Sequence, residues 1–231
     1  MLSGSPYPSA ECLYCQNKRF VTPDVPFEDE SWGRAVPCPF CTQKRPLTLG
    51  PGLSAEMRSW TFENTNPRPG QEEAFRLAQE VLRQPRFFLT LIGPYGSGKT
   101  RLLCCLFNAF FAQGKQVFYA TTTAVLDGLR DAYSENAAWT FGQLFPLLAR
   151  QEILLLDEFD TWNPTSWAEE KMGELFDWRH RTADSTLTII ASTQLHGVSP
   201  RILSRLQDGR CRTAYLRCGD QRRMNTWPKT N

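Results

Sequence analysis

From residue 71 onward, short apolar runs alternate with segments in which apolar residues recur every three or four positions. The first pattern predicts buried strands and the second predicts amphipathic helices. The predicted strands are Phe87–Ile92, Gln116–Ala120, Ile153–Leu156, Leu187–Ser192 and Thr213–Leu216. The predicted helices are Gln71–Leu82, Thr100–Gln113, Thr122–Tyr133, Gln143–Leu148, Trp167–His180 and Pro200–Leu206. Strands that alternate with helices favour an α/β fold, in which a parallel sheet is joined by crossover helices.

The chain divides into three zones of different composition. Its 231 residues are enough for one ordinary domain and a small appendage. Residues 1–46 are rich in Cys, Pro and aromatic residues and show little periodicity, whereas residues 47–70 contain several Pro and Gly residues typical of a connector. We therefore expect an N-terminal module at 1–46, a linker at 47–70 and the main domain at 71–231.

One octapeptide falls at the junction of a predicted strand and a predicted helix. Residues 93–100 read Gly-Pro-Tyr-Gly-Ser-Gly-Lys-Thr and match G-x-x-x-x-G-K-[ST], a phosphate loop. Glycines let successive backbone N–H groups turn toward phosphates, and the helix N-terminus adds the positive end of its dipole. Lys99 is expected to reach the β- and γ-phosphates, and the Thr100 hydroxyl to ligate Mg²⁺. The predicted ATP-binding residues of this segment are Gly93, Gly96, Ser97, Gly98, Lys99, Thr100 and Arg101.

A second motif supplies carboxylates. The apolar strand Ile153–Leu156 ends in Asp157 and Glu158, about sixty residues after the phosphate loop. In open α/β folds, ligands bind at the carboxyl ends of the strands. Asp157 is therefore expected to hold Mg²⁺, through water, because Mg²⁺ keeps several waters and takes few carboxylates. Glu158 is expected to polarise the attacking water. The pair predicts ATP hydrolysis.

Two later segments fit the same site, and each also has a plainer interpretation. Thr193 follows the strand Leu187–Ser192, and a hydroxyl there can orient the attacking water, although a polar residue is ordinary at a strand end. Arg201 and Arg205 lie on the next predicted helix. An arginine that reaches the γ-phosphate of a neighbouring subunit stabilises transition-state charge. Surface arginines that pair with local acids are the alternative.

Half of the eight cysteines form two C-x-x-C pairs near the N-terminus, Cys12 with Cys15 and Cys38 with Cys41. Four thiolates at this spacing suit one tetrahedral zinc. Disulfides and a redox motif are the alternatives. Zinc is favoured because the chain shows no secretory signal, and because neither pair opens a helix after a strand. A core-poor segment of about 45 residues also needs such a staple.

Charge and targeting patterns narrow the class of protein further. The net charge is +2, but eight basic and only two acidic residues lie between Pro200 and Asn231. A basic segment is compatible with a nucleic-acid or phosphate partner, and equally with a solvated arginine-rich surface. The first residues lack the basic start and apolar stretch of a signal peptide, and no apolar run is long enough to span a bilayer. We expect a cytoplasmic protein.

Taken together and in order, these segments resemble a known family. The chain is similar to the AAA+ helicase loaders of the DnaC/DnaI type, which are related to the ATPases of IstB-type transposons. The resemblance covers nearly the whole chain. It rests on the cysteine-paired N-terminus with Trp32–Pro39, the segment Met57–Asn64, the phosphate loop, Tyr119–Thr122, the strand ending at Asp157, Trp167–Lys171 leading to Asp177–Arg179, the strand ending at Thr193, and Arg201–Leu206.

This resemblance implies an AAA+ P-loop fold, a parallel sheet flanked by helices, preceded by a small zinc-ribbon-like module. It implies Thr193 as sensor 1 and Arg205 as an arginine finger acting on the neighbouring subunit, with Arg201 as a weaker alternative. Relatives often carry Asn in place of Thr193, and the shorter side chain predicts either slow or partner-stimulated hydrolysis or a sensor that works differently. Because little sequence follows Leu216, the helical lid of fuller AAA+ proteins is expected to be absent or truncated.

The resemblance also implies a function with ATP, Mg²⁺ and Zn²⁺ as cofactors. The leading hypothesis is a loader that binds a hexameric replicative DNA helicase, places it on single-stranded DNA, and associates with itself through a shared ATP site. One alternative is a transposition regulator that acts on DNA and a transposase; the cysteine pairs disfavour it. Another alternative is an adaptor that binds ATP and hardly hydrolyses it.

Overall fold

A computed structural model of the chain describes residues 18, 20–22, 26–27, 32–37, 52–135, 137 and 139–219. Near the N-terminus, β1 (Phe20–Val21) and β2 (Val36–Pro37) pair antiparallel. The four cysteines of the predicted zinc module lie outside the described residues, and so does the chain after residue 219. The zinc site and the missing lid therefore stay predictions.

The main domain alternates strands and helices. Its strands are β3 (Phe87–Ile92), β4 (Val117–Thr121), β5 (Ile153–Asp157), β6 (Leu187–Ser192) and β7 (Arg212–Tyr215). Its helices are α1 (Ala55–Ser59), α2 (Glu72–Arg83), α3 (Lys99–Ala112), α4 (Thr122–Asp131), α5 (Phe141–Arg150), α6 (Ser166–Arg181) and α7 (Pro200–Leu206). All five predicted strands are confirmed, with ends that differ by at most one residue.

The five strands form one parallel sheet in the order β4-β5-β6-β3-β7, which confirms the predicted fold class. β3, which leads into the phosphate loop, lies between β6 and β7. At its carboxyl end Ile92 pairs with Ser192 on one side and with Tyr215 on the other. The strand that ends at Asp157 is the next neighbour beyond β6. This order brings the predicted site segments to one edge of the sheet.

Both faces of the sheet are covered, which explains why the strands are continuous apolar runs. Leu155 faces a core built with α2 and α3. Its neighbours Leu154 and Leu156 face a second core built with α4, α5, α6 and α7. Because side chains alternate across a strand, β3, β4, β5 and β6 each supply both cores, whereas β7 contributes Ala214 to the first.

Helix α5 is longer than the sequence predicted. A capping box begins it, in which Thr140 and Gln143 bond to each other's backbone N–H groups. Pro146 lies inside the helix and cannot donate a backbone hydrogen bond. Burial of Leu147 and Leu148 holds the helix despite this loss. Among the described residues, no helix has the length and apolar character needed to cross a membrane.

Residues 52–70, which the sequence assigns to a linker, make extensive contacts with the main domain. Leu53 is buried, and Met57, Trp60 and Phe62 pack against the core on the α2–α3 face. The side-chain amide of Asn108 donates to the carbonyls of Met57, at 3.1 Å, and Trp60, at 2.7 Å. Through these contacts the segment reaches one side of the candidate site.

One arginine is completely buried at the amino edge of the sheet. Arg179 of α6 donates through Nε to the Thr188 hydroxyl at 2.8 Å and through its terminal nitrogens to the carbonyls of Ala149, Gln151 and Leu187. Burial lowers the pKa of its guanidinium. Two of these carbonyls lie at the C-terminal end of α5, where the helix dipole favours a cation. Arg179 thereby joins α6 to α5 and β6.

Candidate nucleotide-binding site

A pocket of about 550 Å³ opens at the carboxyl edge of the sheet. Three of its walls come from the phosphate loop with the start of α3, the segment after β5, and the end of β6. The predicted residues that line it are Gly96, Gly98, Lys99, Thr100, Arg101, Asp157, Glu158 and Thr193. The tertiary structure therefore brings together side chains that lie almost one hundred residues apart in the sequence.

Two predicted residues, Gly93 and Ser97, lie in the loop itself and do not line the pocket. A Cβ atom at Gly93 would come within 2.6 Å of the Leu216 carbonyl and 2.7 Å of the Ser97 Oγ. Only glycine fits this close approach of Leu216, the residue after β7, to the loop. Gly96 and Gly98 have φ values of +73° and +92°, which a side chain would strain. The glycines of the motif are thus required by the backbone path.

Contacts from other segments anchor the phosphate loop, and some of its hydrogen-bond donors remain available to a ligand. Gln71 Nε2 donates to the Ser97 carbonyl at 2.7 Å, and the Cys218 thiol lies 3.2 Å from the same oxygen. The Ser97 hydroxyl is buried and has no partner among the described residues. Helix α3 begins at Lys99, and Gly98 provides no side-chain cap for its first N–H groups. Uncapped N–H groups at a helix N-terminus form an anion site.

Lys99 lies across the phosphate loop. Its Nζ donates to the carbonyl of Gly93 at 2.6 Å and to that of Pro94 at 3.0 Å. The same nitrogen lies 6.0 Å from the ring centroid of Tyr95, which is largely exposed. The ammonium is therefore positioned at the mouth of the loop, where a phosphate would meet it.

Asp157 is held rigidly at the end of β5. Its carboxylate is buried, with Oδ2 accepting from the Tyr119 hydroxyl at 3.0 Å and Oδ1 from the Glu158 backbone N–H at 2.9 Å. Thr122 donates to its carbonyl at 3.2 Å. Burial raises the pKa of Tyr119, and the nearby charge of Asp157 raises it further, so the phenol stays protonated and donates. The sequence did not indicate this role for Tyr119.

Glu158 adopts a backbone conformation that is rare for its residue type. Its φ is +51°, in the left-handed region, directly after the strand ends. Such strain costs about 1–3 kcal/mol and persists only where the surrounding structure imposes it, often at functional sites. The side chain is exposed and lines the pocket next to Asp157. This turn presents the Glu158 carboxylate to the pocket without the hydrogen bonds that fix the carboxylate of Asp157.

Thr193 reaches the site together with a third acid. Its backbone N–H donates to Asp160 Oδ2 at 3.1 Å, and both residues line the pocket. The backbone N–H of Phe159 donates to the Ala191 carbonyl at 2.9 Å, which joins the segment after β5 to the end of β6. Sequence reasoning missed Asp160, although its position two residues after the Asp-Glu pair was a usable signal.

The segment before α2 forms another wall, which the sequence did not predict. Glu56, Trp60 and Arg68 line the pocket. The Arg101 guanidinium lies 5.1 Å from the Trp60 ring centroid, a cation–π distance. The position of this segment is a tertiary property, because nothing in its local pattern indicates where it docks.

Arg201 and Arg205 do not line the pocket of their own subunit. Arg205 Nε donates to Asp177 Oδ1 at 2.9 Å. Arg201 donates to Asp177 Oδ2 through Nε at 3.0 Å and through a terminal nitrogen at 2.6 Å. One carboxylate on α6 thus holds both arginines of α7 at the surface, with their side chains partly exposed.

The residues of the pocket fit a magnesium–nucleotide complex. The loop supplies one glycine where a Cβ would clash, two glycines with positive φ, a buried hydroxyl without a partner among the described residues, and uncapped helix N–H groups. Thr100 and Asp157 supply the oxygen ligands that Mg²⁺ prefers, and the ion takes only one or two carboxylates. Within the part of the chain that the structure describes, no cluster of three or more His, Cys, Asp or Glu residues forms a protein-only metal site.

Three solved structures share this fold. DnaA from Aquifex aeolicus, bound to AMPPCP, has a TM-score of 0.61 and 21% identity over 73% of this chain and 51% of its own. DnaI has a TM-score of 0.55 and 16% identity over 73% of this chain and 94% of its own. The DnaC helicase loader has a TM-score of 0.51 and 18% identity over 66% of this chain and 90% of its own. These similarities show an AAA+ P-loop fold.

The chain spans about half the length of the first solved structures that it matches. A search of curated proteins gives no match. The model of a protein family, described as IstB-like ATP binding protein, matches residues 77–204, which is more than half of the chain. The match covers the phosphate loop, the Asp157-Glu158 pair and Thr193. The chain therefore belongs to the family of IstB-like ATP-binding proteins.

Proposed function

We propose that this protein is an ATPase that hydrolyses ATP to ADP and phosphate, with magnesium, at the pocket beside the phosphate loop. The observation that carries the proposal is the convergence of Lys99, Thr100, Asp157, Glu158 and Thr193 on one pocket. A phosphate anchor, a pair of oxygen ligands, an unconstrained carboxylate and a hydroxyl are the parts that phosphoryl transfer to water requires.

Each residue has a distinct role in this reaction. Lys99 and the N–H groups at the start of α3 bind and orient the phosphates. Thr100 and Asp157 hold Mg²⁺, which neutralises developing charge on the phosphates when it is bound. Glu158 orients the attacking water and accepts its proton. Thr193, supported by Asp160, positions the same water.

Arg205 supplies the remaining charge from a neighbouring subunit. It lies outside its own pocket and on the surface, so it can complete the site of another copy. An arginine that acts in this way stabilises the charge of the transferring phosphate. The ATP site is then shared between subunits, and hydrolysis depends on self-association.

Replacing Glu158 tests the enzymatic part of the proposal. We expect Glu158→Gln to bind ATP as the wild type does and to lower kcat by about 100-fold or more, since general-base catalysis contributes about 10²–10⁴-fold. Glu152→Gln, at the opposite edge of the sheet, is the matched control. Phosphate release measures turnover, and a fluorescent ATP analogue measures binding. Equal inactivity of wild type and Glu158→Gln, with binding intact, would favour the non-hydrolysing adaptor.

Within DNA replication, we propose that ATP binding and hydrolysis let this protein bind a hexameric replicative helicase and place it on single-stranded DNA. The similarity to DnaI and to the DnaC helicase loader over nearly their whole length supports this role. A transposition regulator is the second candidate, because the matching family model describes IstB-like proteins. Affinity capture separates them: a stable complex with the helicase supports the loader, and capture of a transposase alone contradicts it.

An aromatic cluster formed by Tyr133 just after α4, Phe141 on α5 and Trp167 on α6 suits single-stranded DNA. Tyr133 is exposed and stacks on Phe141 at 5.0 Å, with Trp167 at 6.5 Å. Arg130 lies over the Trp167 ring and Lys171 over the Phe141 ring, at 5.1 and 5.5 Å. Aromatic faces with adjacent cations bind bases without sequence preference. We expect Tyr133→Ala to weaken binding of an oligothymidine by about tenfold, measured by fluorescence anisotropy.

We also propose that Cys12, Cys15, Cys38 and Cys41 bind one structural zinc in the N-terminal module, which would contact the helicase. Four thiolates in two C-x-x-C pairs support this assignment. Metal analysis of the purified chain is expected to give one zinc per chain, and far less than one would contradict the site. Substitution of Cys12 and Cys15 by Ser should abolish zinc without affecting ATP binding.

A further inference from the structure

Tyr119 reaches the magnesium-binding carboxylate through the geometry of the sheet. β4 and β5 are parallel neighbours in which Tyr119 pairs with Leu155 and Thr121 pairs with Asp157. Because side chains alternate, Tyr119 and Asp157 project from the same face as diagonal neighbours, a separation that an aromatic side chain can span. The phenol oxygen lies 3.0 Å from Asp157 Oδ2.

Both partners of this contact are removed from solvent. Tyr119 is 4% exposed and Asp157 3% exposed. A buried carboxylate needs donors, and here each oxygen has one: the Tyr119 hydroxyl on Oδ2 and the Glu158 N–H on Oδ1. The two bonds fix the plane of the carboxylate and leave its remaining lone pairs for the pocket. Phenylalanine at position 119 would fill the same space and provide no donor.

We propose that Tyr119 is a positioning residue for the Mg²⁺ that accompanies ATP, acting through Asp157. This inference rests on the proposed ATPase function. Groups that hydrogen-bond a metal ligand orient it and tune its affinity, and removing such a partner typically costs 10–100-fold in metal affinity or activity. Because both oxygens of Asp157 already accept a protein donor, the carboxylate is arranged to receive a hydrated ion.

Magnesium dependence of ATP binding tests this role without requiring turnover. Wild type, Tyr119→Phe and the control Tyr215→Phe are titrated with Mg²⁺ in the presence of a fluorescent ATP analogue, and binding is also measured in EDTA. For Tyr119→Phe we expect the half-saturating Mg²⁺ concentration to rise about tenfold, with binding in EDTA unchanged. Tyr215 is exposed on β7, outside the pocket, and its variant should match the wild type.

A structural role alone predicts a different result. If Tyr119 only supports the core, Tyr119→Phe will weaken binding equally with Mg²⁺ and in EDTA, and this outcome overturns the proposal. An unchanged Mg²⁺ midpoint also overturns it. If the wild type itself shows no Mg²⁺-dependent ATP binding, the proposed ATPase function is contradicted instead. Failure of the Tyr119 proposal and failure of the proposed function therefore give different results.

A double variant supplies a second test. In an Asp157→Asn background the metal ligand is already impaired, so adding Tyr119→Phe should leave the Mg²⁺ midpoint unchanged if the phenol acts only through Asp157. A further tenfold shift in the double variant would show that Tyr119 acts by another route, and would overturn the proposal. Circular dichroism of each variant verifies that it is folded.

Discussion

Two aspartates organise two different parts of this molecule, and their surroundings differ in kind. Asp157 is buried beside the nucleotide pocket and accepts from the Tyr119 phenol and a backbone N–H, both uncharged donors. Asp177 is partly exposed on α6 and accepts from two guanidiniums, those of Arg201 and Arg205. One carboxylate is fixed within the core, and the other holds an ion-pair network at the surface.

For the proposed shared ATP site, this difference indicates which part a single subunit can hold in place. Buried hydrogen bonds between neutral donors and a carboxylate are costly to break, so Asp157 has a single arrangement. Exposed ion pairs are worth about 1 kcal/mol or less, so the contact of Arg205 Nε with Asp177 can orient this side chain without preventing its terminal nitrogens from reaching another anion. If the proposed ATP site is shared between subunits, the nucleotide half lies within one chain, and the arginine half, Arg201 and Arg205, would be offered to a neighbouring subunit.

Local packing supports the arrangement around Asp177. A Cβ atom at Gly173 would lie 3.0 Å from a terminal nitrogen of Arg201, so glycine lets this side chain lie close along α6. Burial raises the pKa of Asp177, but hydrogen bonds from Arg201 and Arg205 outweigh burial and hold that pKa below its usual range. The carboxylate is consequently ionised whenever the protein is near neutral pH.

The largest expected effect comes from the arginine half. Arg205→Ala should lower the kcat of the assembled protein by about 10³-fold with ATP affinity unchanged, since an arginine supplied by a neighbour contributes about 10³–10⁵-fold. Arg201→Ala should lower kcat less, which discriminates the two residues. Phosphate release at saturating ATP measures both variants.

Mixing two inactive variants sharpens this prediction. Arg205→Ala retains Glu158, and Glu158→Gln retains Arg205, so a mixed assembly forms some interfaces that carry both residues. We expect the mixture to recover activity that neither variant has alone. Failure of recovery, in a mixture shown to co-assemble, would place Arg205 outside the shared site.

The next effect tests the nucleotide half by removing its cation. Lys99→Ala should weaken ATP binding by about 100-fold, because charge-assisted hydrogen bonds to phosphate are lost. Lys115→Ala is the matched control, since Lys115 pairs with Glu152 away from the pocket. Titration with a fluorescent ATP analogue measures both. Equal affinities for the two variants would contradict the assignment of Lys99.

A smaller effect is expected from the anchor of the arginines. Asp177→Asn removes the charge that holds Arg201 and Arg205, and should lower kcat about tenfold because Arg205 is less well oriented. ATP binding by each subunit should not change. If Asp177→Asn raised kcat, Asp177 would restrain Arg205 rather than orient it, which would contradict this prediction.

The smallest effects concern stability, measured by urea unfolding. Tyr119→Phe should lower the free energy of unfolding by about 1–2 kcal/mol, since a buried carboxylate loses a donor. Asp177→Ala should lower it by only about 0.5 kcal/mol. Because the folded pKa of Asp177 is lowered, its contribution is present at neutral pH and disappears as the pH falls through that pKa. A cost for Asp177→Ala that matched Tyr119→Phe would abolish the contrast.

Motif and periodicity predicted the elements that depend on local chemistry. β3 and β6 were predicted with their observed ends, because a continuous apolar run bounded by polar residues has few other uses in a soluble domain. Helix α1 was missed, since five residues in a Pro- and Gly-rich segment carry too little periodicity to be recognised. Its one local signal is Ser54, whose hydroxyl accepts from the Met57 N–H and caps the helix.

The candidate site residues also divide into those that a local motif predicts and those that depend on tertiary neighbours. Gly96, Lys99 and Thr100 were predictable because a contiguous motif needs only local backbone geometry to bind phosphate. Tyr119 and Trp60 were not, because their roles depend on which strand or helix lies beside them. No local pattern encodes that Tyr119 is diagonal to Asp157.

By itself, the sequence determined that this chain forms a parallel α/β sheet with a phosphate loop and an acidic strand end. These features follow from alternating apolar patterns and from glycines in a fixed order. Only the tertiary structure decided that the Tyr119 hydroxyl donates to Asp157 and that residues from the segment 52–70 line the pocket. The same holds for Asp177, which accepts hydrogen bonds from both Arg201 and Arg205. Strand order and helix docking set these contacts, because they join residues whose separation in the chain carries no information about their distance in space.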